Sequence, residues 1–413
     1  MNILLINHYA GSLRLGMEYR PFYLAREWMK SGHNVRILAA SFAHTRSVQP
    51  NKQPNLATEL IDGICFQWIK TPPYEGNGIG RTWNMLRFVF SAWRAAPALA
   101  QEFKPDFVIA SSTYPMDIWA AHRIARLAKA KLVFEVHDLW PLTPMSLGNM
   151  SKWHPFIMLV QFAEDAAYKL CDCVVSILPN TLEHMRSRGL DPAKWSHVPN
   201  GIALQDYSEK SEMPDDVTMA IQKIRINRLP LIGYAGAHGA TNALDTLLDA
   251  AKLMKGKAEF VLVGKGSEKD RLSARILKEK IENVHLLGSI PKRSVPSFLD
   301  SIDIAYIGWA PCDLYKFGIA PNKLMDYMMA AKSIVHSVKA GNDLVTDSNC
   351  GLSVPPKDPV AIVGAIEKLL ALQPEDRVAL GRNGQRFVRE HHSYEILADN
   401  FIHEIQSHIQ PAQ

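Results

Sequence analysis

Three glycine-rich turns follow apolar runs in this 413-residue chain: "AGSLRLG" with Gly11 and Gly16, "YAGAHG" with Gly236 and Gly239 flanking His238, and "VGKG" with Gly264, Lys265 and Gly266. A glycine directly after a strand is often only a tight turn. Where it closes a strand of an open parallel sheet, however, it lets backbone amides approach a phosphate, because ligands of such sheets bind at the carboxyl ends of the strands. Three turns at equivalent ends point to an anionic, phosphate-bearing ligand. His137 ends another apolar run, "KLVFEVHD", with Asp138 beside it. An imidazole at a strand end can hydrogen-bond reacting oxygens or move a proton near neutral pH, and Asp138 can orient it or touch a second substrate.

These residues need strands to end where they stand. Short apolar runs alternate with amphipathic stretches, the pattern of βαβ units and a parallel sheet. Strands are expected at "NILLIN", "NVRILAAS", "DFVIASS", "KLVFEVHD" and "CVVSILP", with a first helix over "EYRPFYLAREWMKSG" stopped by Gly32. Glu18 and Arg20 open that helix, where contact with an acceptor and helix capping are equally good accounts. After a polar stretch from Gln205 to about Arg228 a second series begins: "LIGYAG", "AEFVLVGKG", "NVHLLGS", "IDIAYIGW", "KSIVHS". The chain is also too long for one core. The expected architecture is α/β, with two Rossmann-like, doubly wound domains facing a central cleft. The expected boundaries are residues 1–205, 206–390 and a C-terminal helix over 391–413 that returns to the first domain.

Charge is uneven. Residues 1–200 hold 21 Lys and Arg against 15 Asp and Glu, so the first half carries more than the whole net charge of +5 and should meet something anionic. Within it, "RTWNMLRFVFSAWRAAPALA" mixes Trp83, Phe88, Phe90 and Trp93 with Arg81, Arg87 and Arg94. Two accounts stay open: a helix lying on a membrane surface, and a helix buried in the first domain with arginines at its edge. The five scattered cysteines give no disulfide framework, Cys171 and Cys173 reading as core thiols, and "MNILLINHYAG" lacks the features of a signal peptide, so a cytoplasmic protein is expected. No D-x-D motif suggests a bound metal. "GSLRLG" has the wrong spacing for a nicotinamide fingerprint, and little beyond a high pI favours nucleic acid.

The ordered run "YAGAHGATNALDTLLDAA", "FVLVGKGSEKDRL", "NVHLLGSIPKRSVPSFL", "FGIAPNKLMDYMMAAKSIV" and "GLSVPPKDPVAIVGAIEKLL" resembles the donor-binding half of retaining glycosyltransferases of family 4, which have the GT-B fold. "GMEYRPFYLAREWMKSGHNVRILAASFAH" and "FEVHDLWPLTPMSL" are similar to a subgroup acting in O-antigen and capsule assembly, including transferases of N-acetylfucosamine. The resemblance implies retaining transfer from a UDP-sugar to an undecaprenyl-diphosphate-linked glycan, at the inner face of the cytoplasmic membrane, with no cofactor and no metal. It also places Asp326 at the second acid of a paired-acid signature, where it would hold the ribose hydroxyls. The first acid is replaced by Gly318, so backbone amides from Phe317 to Asn322, through Ile319 and Ala320, are the expected sugar contacts. The basic pair usual near Ala237 and Asn242 is missing too, which leaves Lys323 and Lys265 to offer charge to the diphosphate. Ile290 matches the place where main-chain groups read the base, and His137 the place of a histidine near the reacting oxygens. The GT-B architecture is shared by nonhydrolysing nucleotide-sugar epimerases, and a noncatalytic sugar-binding protein is the other alternative.

Overall fold

The computed structural model describes residues 1–50 and 54–409. The chain forms two compact units: Met1–Asn200 joined by the C-terminal helix from Tyr394, and Gly201–Ser393. The divisions thus fall a few residues from those expected, and the polar stretch after Gln205 lies inside the second unit.

The first unit is an eight-stranded sheet of β1 (Asn2–Ile6), β2 (Asn34–Ala40), β3 (Thr58–Ile61), β4 (Ile64–Ile69), β5 (Phe107–Ala110), β6 (Lys131–Val136), β7 (Cys173–Ser176) and β8 (Trp195–His197). Their order is β3-β4-β2-β1-β5-β6-β7-β8, all parallel except the hairpin β3–β4. That hairpin went unread in the sequence, although "IDGI" carries its signal: Asp62 and Gly63 both take positive φ, at 50° and 83°, as a two-residue hairpin turn demands. Helix α1 (Arg20–Lys30) starts with Pro21 in its first turn and stops before Gly32, whose φ is +83°. It buries Phe22, Leu24 and Trp28. Also in this unit are α2 (Ile79–Phe103), α3 (Ile118–Ala128) and α4 (Pro155–Leu170). Cys171 and Cys173 are buried at the start of β7, and burial pushes the Cys171 thiol up to about 12.

The second unit is a six-stranded parallel sheet of β9 (Leu231–Ala235), β10 (Glu259–Val263), β11 (Val284–Leu287), β12 (Ile304–Gly308), β13 (Ser333–Ser337) and β14 (Gly351–Val354). Its order, β11-β10-β9-β12-β13-β14, is the doubly wound one. Because successive strand side chains face opposite ways, Leu231, Val261, Ala305 and Ile334 enter one core while Ile232, Phe260, Ile304 and Val335 enter another. Both faces are therefore buried, which is why these strands read as unbroken apolar runs. Around them lie α5 (Leu244–Leu253), α6 (Lys269–Glu279), α7 (Asn322–Met329) and α8 (Pro374–His391). The last helix, α9 (Tyr394–Ile409), belongs to the first unit: it buries Leu397, Phe401 and Ile405, and the Trp28 indole of α1 donates to Ala398 O at 3.0 Å.

Candidate active site

In each sheet the strand order reverses at one point, between β1 and β5 in the first unit and between β9 and β12 in the second. A ligand site belongs at the carboxyl ends there.

At the first switch point a buried polar cluster has formed. Glu135, the one acid inside the apolar run of β6, is fully buried and accepts from Arg20 Nε at 2.8 Å and from Ser111 Oγ at 2.5 Å. His137 Nε2 stands 2.9 Å from Ser111 Oγ and 3.1 Å from Glu135 Oε2. Burial opposes ionisation of Glu135, but Arg20, His137 and the Ser111 hydroxyl outweigh it and hold the carboxyl well below the usual range. A charged acceptor beside Nε2 favours the proton on that nitrogen, which leaves Nδ1 as the basic lone pair of His137. The ring is one-eighth exposed, so Nδ1 can serve a substrate.

Arg20, expected as an acceptor contact, is committed elsewhere. It is buried, and besides Glu135 its guanidinium donates to Pro199 O at 2.5 Å and Val198 O at 2.9 Å. It positions Glu135 and hence His137. Burial raises the carboxyl pKa of Glu18. Asp138 takes hydrogen bonds from Leu139 N at 3.0 Å and Thr143 Oγ1 at 2.7 Å, and burial raises its pKa as well. Gly16 is not a phosphate donor here: its amide is spent on Ser12 O at 2.8 Å. Its φ of +98° and the 2.9 Å that would separate an added Cβ from Ser47 N explain the glycine by loop packing.

At the second switch point the two predicted glycine turns interlock. A Cβ on Gly264 would lie 1.9 Å from Gly236 O, and one on Gly266 would lie 2.3 Å from His238 O. The amides of Gly236 and His238 are used, donating to Val263 O at 3.0 Å and Lys265 O at 2.9 Å, whereas those of Gly239 and Gly266 make no hydrogen bond among the described residues. Against this crossing lie three basic groups with no carboxylate partner among the described residues. Lys323 Nζ donates to Tyr234 Oη at 3.0 Å and to Asn242 Oδ1, and burial lowers its pKa to about 8. Lys269 Nζ donates to the carbonyls of Leu287 at 2.6 Å and Gly264 at 3.1 Å. His238 is fully buried with neither ring nitrogen hydrogen-bonded; burial first, then Lys269 and Lys323, lower its pKa to about 4. The Trp309 indole nitrogen is also buried and unpaired, and the centroid of that ring lies 5.8 Å from Lys323 Nζ. Half-buried lysines and orphaned buried nitrogens at a strand-end crossing suit an anion.

Lys265, the other expected cation, is exposed. Lys269, at the start of α6, takes the place it was expected to fill, a role invisible in the sequence because only the fold of the intervening loop turns the later lysine inward. Asp326, in the middle of α7, is bound through both oxygens by Lys292 Nζ at 2.6 and 2.5 Å. Lys292 too was missed, though it stands two residues after Ile290, which is half-buried against the core. Two expected sugar contacts are spoken for: the Gly318 amide donates to Tyr315 O at 2.9 Å and the Ile319 amide to Asn342 Oδ1 at 2.8 Å. Pro321 has no amide to offer, and Asn322 is exposed. Among the described residues no three His, Cys, Asp or Glu side chains converge as a metal-ligand set.

Residues 16–201 match the family described as "Glycosyl transferase 4-like domain", and residues 229–372 match "Glycosyl transferases group 1". The chain is 23% identical to the probable glycosyltransferase WbjE of Pseudomonas aeruginosa over 353 residues, which cover 84% of this chain and 85% of that one. It is similar in fold to Anabaena HepE crystallised with UDP-glucose, with a TM-score of 0.68 and 14% identity over 98% of this chain and 99% of that one. It is likewise similar to WaaG, a glycosyltransferase involved in lipopolysaccharide biosynthesis, with a TM-score of 0.65 and 15% identity over 96% and 99% of the two chains. With residues 16–201 matched to one glycosyltransferase domain family and residues 229–372 to another, the chain carries two glycosyltransferase domains in the GT-B fold.

Proposed function

We propose that the chain is a retaining, family 4 transferase that moves a sugar from a UDP-sugar to a lipid-linked glycan in the assembly of a bacterial surface polysaccharide, such as O-antigen or capsule. The observation that carries the donor half of this reading is the set Lys323, Lys269 and His238, three basic groups at the glycine crossing with no acid among them. A nucleoside diphosphate supplies the two negative charges they lack, and the Gly239 and Gly266 amides add donors to its oxygens. Asp326 accepts the ribose hydroxyls on lone pairs that Lys292 leaves over. UDP as the leaving group has support in the likeness to HepE, which was crystallised with UDP-glucose. An N-acetylated 6-deoxyhexosamine is the sugar suggested by the resemblance of the first half.

Transfer through an oxocarbenium-like transition state needs charge stabilised on the leaving diphosphate and the acceptor hydroxyl held in place. In this reading the second unit does the first and the first unit contributes His137, whose Nδ1 accepts a hydrogen bond from a hydroxyl of the donor sugar while the leaving phosphate takes the proton of the acceptor hydroxyl. The chain acts from the cytoplasmic side of the membrane, on a polyprenyl-diphosphate-linked acceptor and without a metal. The test is nucleotide release from a panel of UDP- and GDP-sugars, with and without lipid-linked acceptor and with EDTA throughout. Release that depends on acceptor supports transfer. Interconversion of the sugar without acceptor identifies an epimerase, and binding with no turnover identifies a sugar-binding protein.

A further inference from the structure

The first unit has an exposed face that the site leaves unused. Along α2, Trp83, Arg87, Phe90 and Arg94 recur at spacings of four, three and four, which at about 100° per residue sets them in one narrow stripe. Trp83 is 60% exposed and Phe90 51%, while the other side of the helix buries Met85, Phe88 and Leu99. The helix is therefore packed on one side and open on the other.

The stripe continues onto two neighbours. Arg123 of α3 lies 3.7 Å from the centroid of the Trp93 ring and donates to Trp93 O at 3.2 Å. Trp119 of α3 meets Phe162 of α4 with centroids 6.0 Å apart, and Phe162 is 65% exposed. Just before α4, Lys152 sits over the exposed Trp153 ring. Charge on this face has one sign. Helix α2 carries three arginines and a single acid, Glu102, in its last turn; α3 carries Arg123 and Arg126 and no acid. On α4, Glu164 is buried and Asp165 is paired with Arg188.

Half-exposed indoles and phenyls interleaved with unopposed guanidinium groups suit the boundary between phosphate headgroups and acyl chains, where rings sit at the interface and arginines meet phosphate. No helix among the described residues is long and apolar enough to cross a membrane, so contact through this face would be interfacial. We propose that the α2–α3–α4 face docks on an anionic lipid bilayer, its rings at the headgroup boundary and Arg87, Arg94 and Arg126 on lipid phosphates. This deepens the reading of a lipid-linked acceptor given above and rests on it.

The test is co-sedimentation of the full chain with phosphatidylglycerol-containing vesicles and with pure phosphatidylcholine vesicles. Binding is expected to the anionic vesicles, weakening by about tenfold or more in Arg87→Glu/Arg94→Glu and similarly in Trp83→Ser/Phe90→Ser. Thermal unfolding checks that both variants fold, and nucleotide release with a water-soluble acceptor should be unchanged in both. Equal binding to phosphatidylcholine, or a folded Arg87→Glu/Arg94→Glu chain that still binds, would overturn the proposal. So would a dimer of the natural chain that Trp83→Ser/Phe90→Ser dissociates, since a second copy would then cover the face. Absence of nucleotide release with vesicle binding intact would sink the enzymatic reading instead and leave the docking surface standing.

Discussion

At the scale of single residues, His137 and Lys323 divide the work in a way that kinetics can separate. His137 is oriented by Glu135 and Ser111 through Nε2, and a group that acts mainly on the transition state alters turnover more than ground-state binding. His137→Ala should lower kcat by a factor of about 100 to 1,000 while leaving UDP affinity nearly unchanged in calorimetry. A folded, less stable and fully active variant would make the residue structural. Lys323 makes the opposite forecast. Burial lowers its pKa to about 8, so the empty protein bears a cost for holding it charged, and a bound anion offsets that cost. Lys323→Met should therefore weaken UDP binding by about tenfold or more, for the loss of a charged hydrogen bond, and leave the melting temperature of the unliganded protein equal or higher. A variant that lost stability and kept affinity would reject the phosphate role. The positions of both residues were legible in the sequence, one from a strand end and one from a motif. Their partners were not, since Ser111 meets His137 across 26 residues of chain and Tyr234 meets Lys323 across 89. Only Glu135 left a trace, because an acid inside a buried strand must be paired.

At the scale of elements, the loops after β9 and β10 can cross only because glycines stand where they touch. Gly264→Ala would place a Cβ 1.9 Å from Gly236 O at a φ of +153°, and both carbonyl and backbone must then move. The expected result is a loss of stability of about 1–3 kcal/mol and of UDP affinity together, read from denaturant unfolding and calorimetry. A neutral substitution would mean that the two loops part without cost. The connection between β5 and α3 offers a pH test. Asp117 is buried with Oδ2 accepting from Ser112 N at 3.0 Å and Oδ1 unpartnered, and burial raises its pKa from 3.8 to about 7. Because the folded value lies above the unfolded one, the native state keeps a proton that the unfolded chain releases between those values, and stability falls as pH rises from about 4 to about 7. Asp117→Asn removes that dependence. The stability of Asp117→Asn relative to the natural chain should improve between pH 4.5 and 8 by about 3 kcal/mol; urea titrations of both proteins at the two pH values check it, and parallel pH profiles would refute it.

At the scale of the whole molecule, the fold of the first unit depends on the last helix of the chain. Phe401 and Ile405 of α9 are fully buried, and the Trp28 and Phe401 rings meet with centroids 5.2 Å apart. Burying each such side chain is worth about 1.5–3 kcal/mol. A chain ending at Ser393 should lose the cooperative unfolding of its first unit, while the second unit keeps a thermal transition that UDP shifts upward. Two intact transitions after the truncation would show that α9 is dispensable. By itself the sequence determined most of the strands, though not the β3–β4 hairpin, β8 or β14, together with the doubly wound class and the glycine turns, because each rests on local periodicity or on a backbone conformation that glycine alone supplies cheaply. Tertiary structure decided which candidates are free to act. Arg20, Gly16 and the amides of Gly318 and Ile319 passed from binding to structural roles because partners distant in sequence or folded back upon them satisfy their hydrogen bonds. Lys269, Lys292 and Ser111 entered the candidate site because packing brings them to strand ends that no local pattern connects. Hydrogen-bond satisfaction of buried groups is a property of the folded whole, and a single stretch of sequence does not contain it.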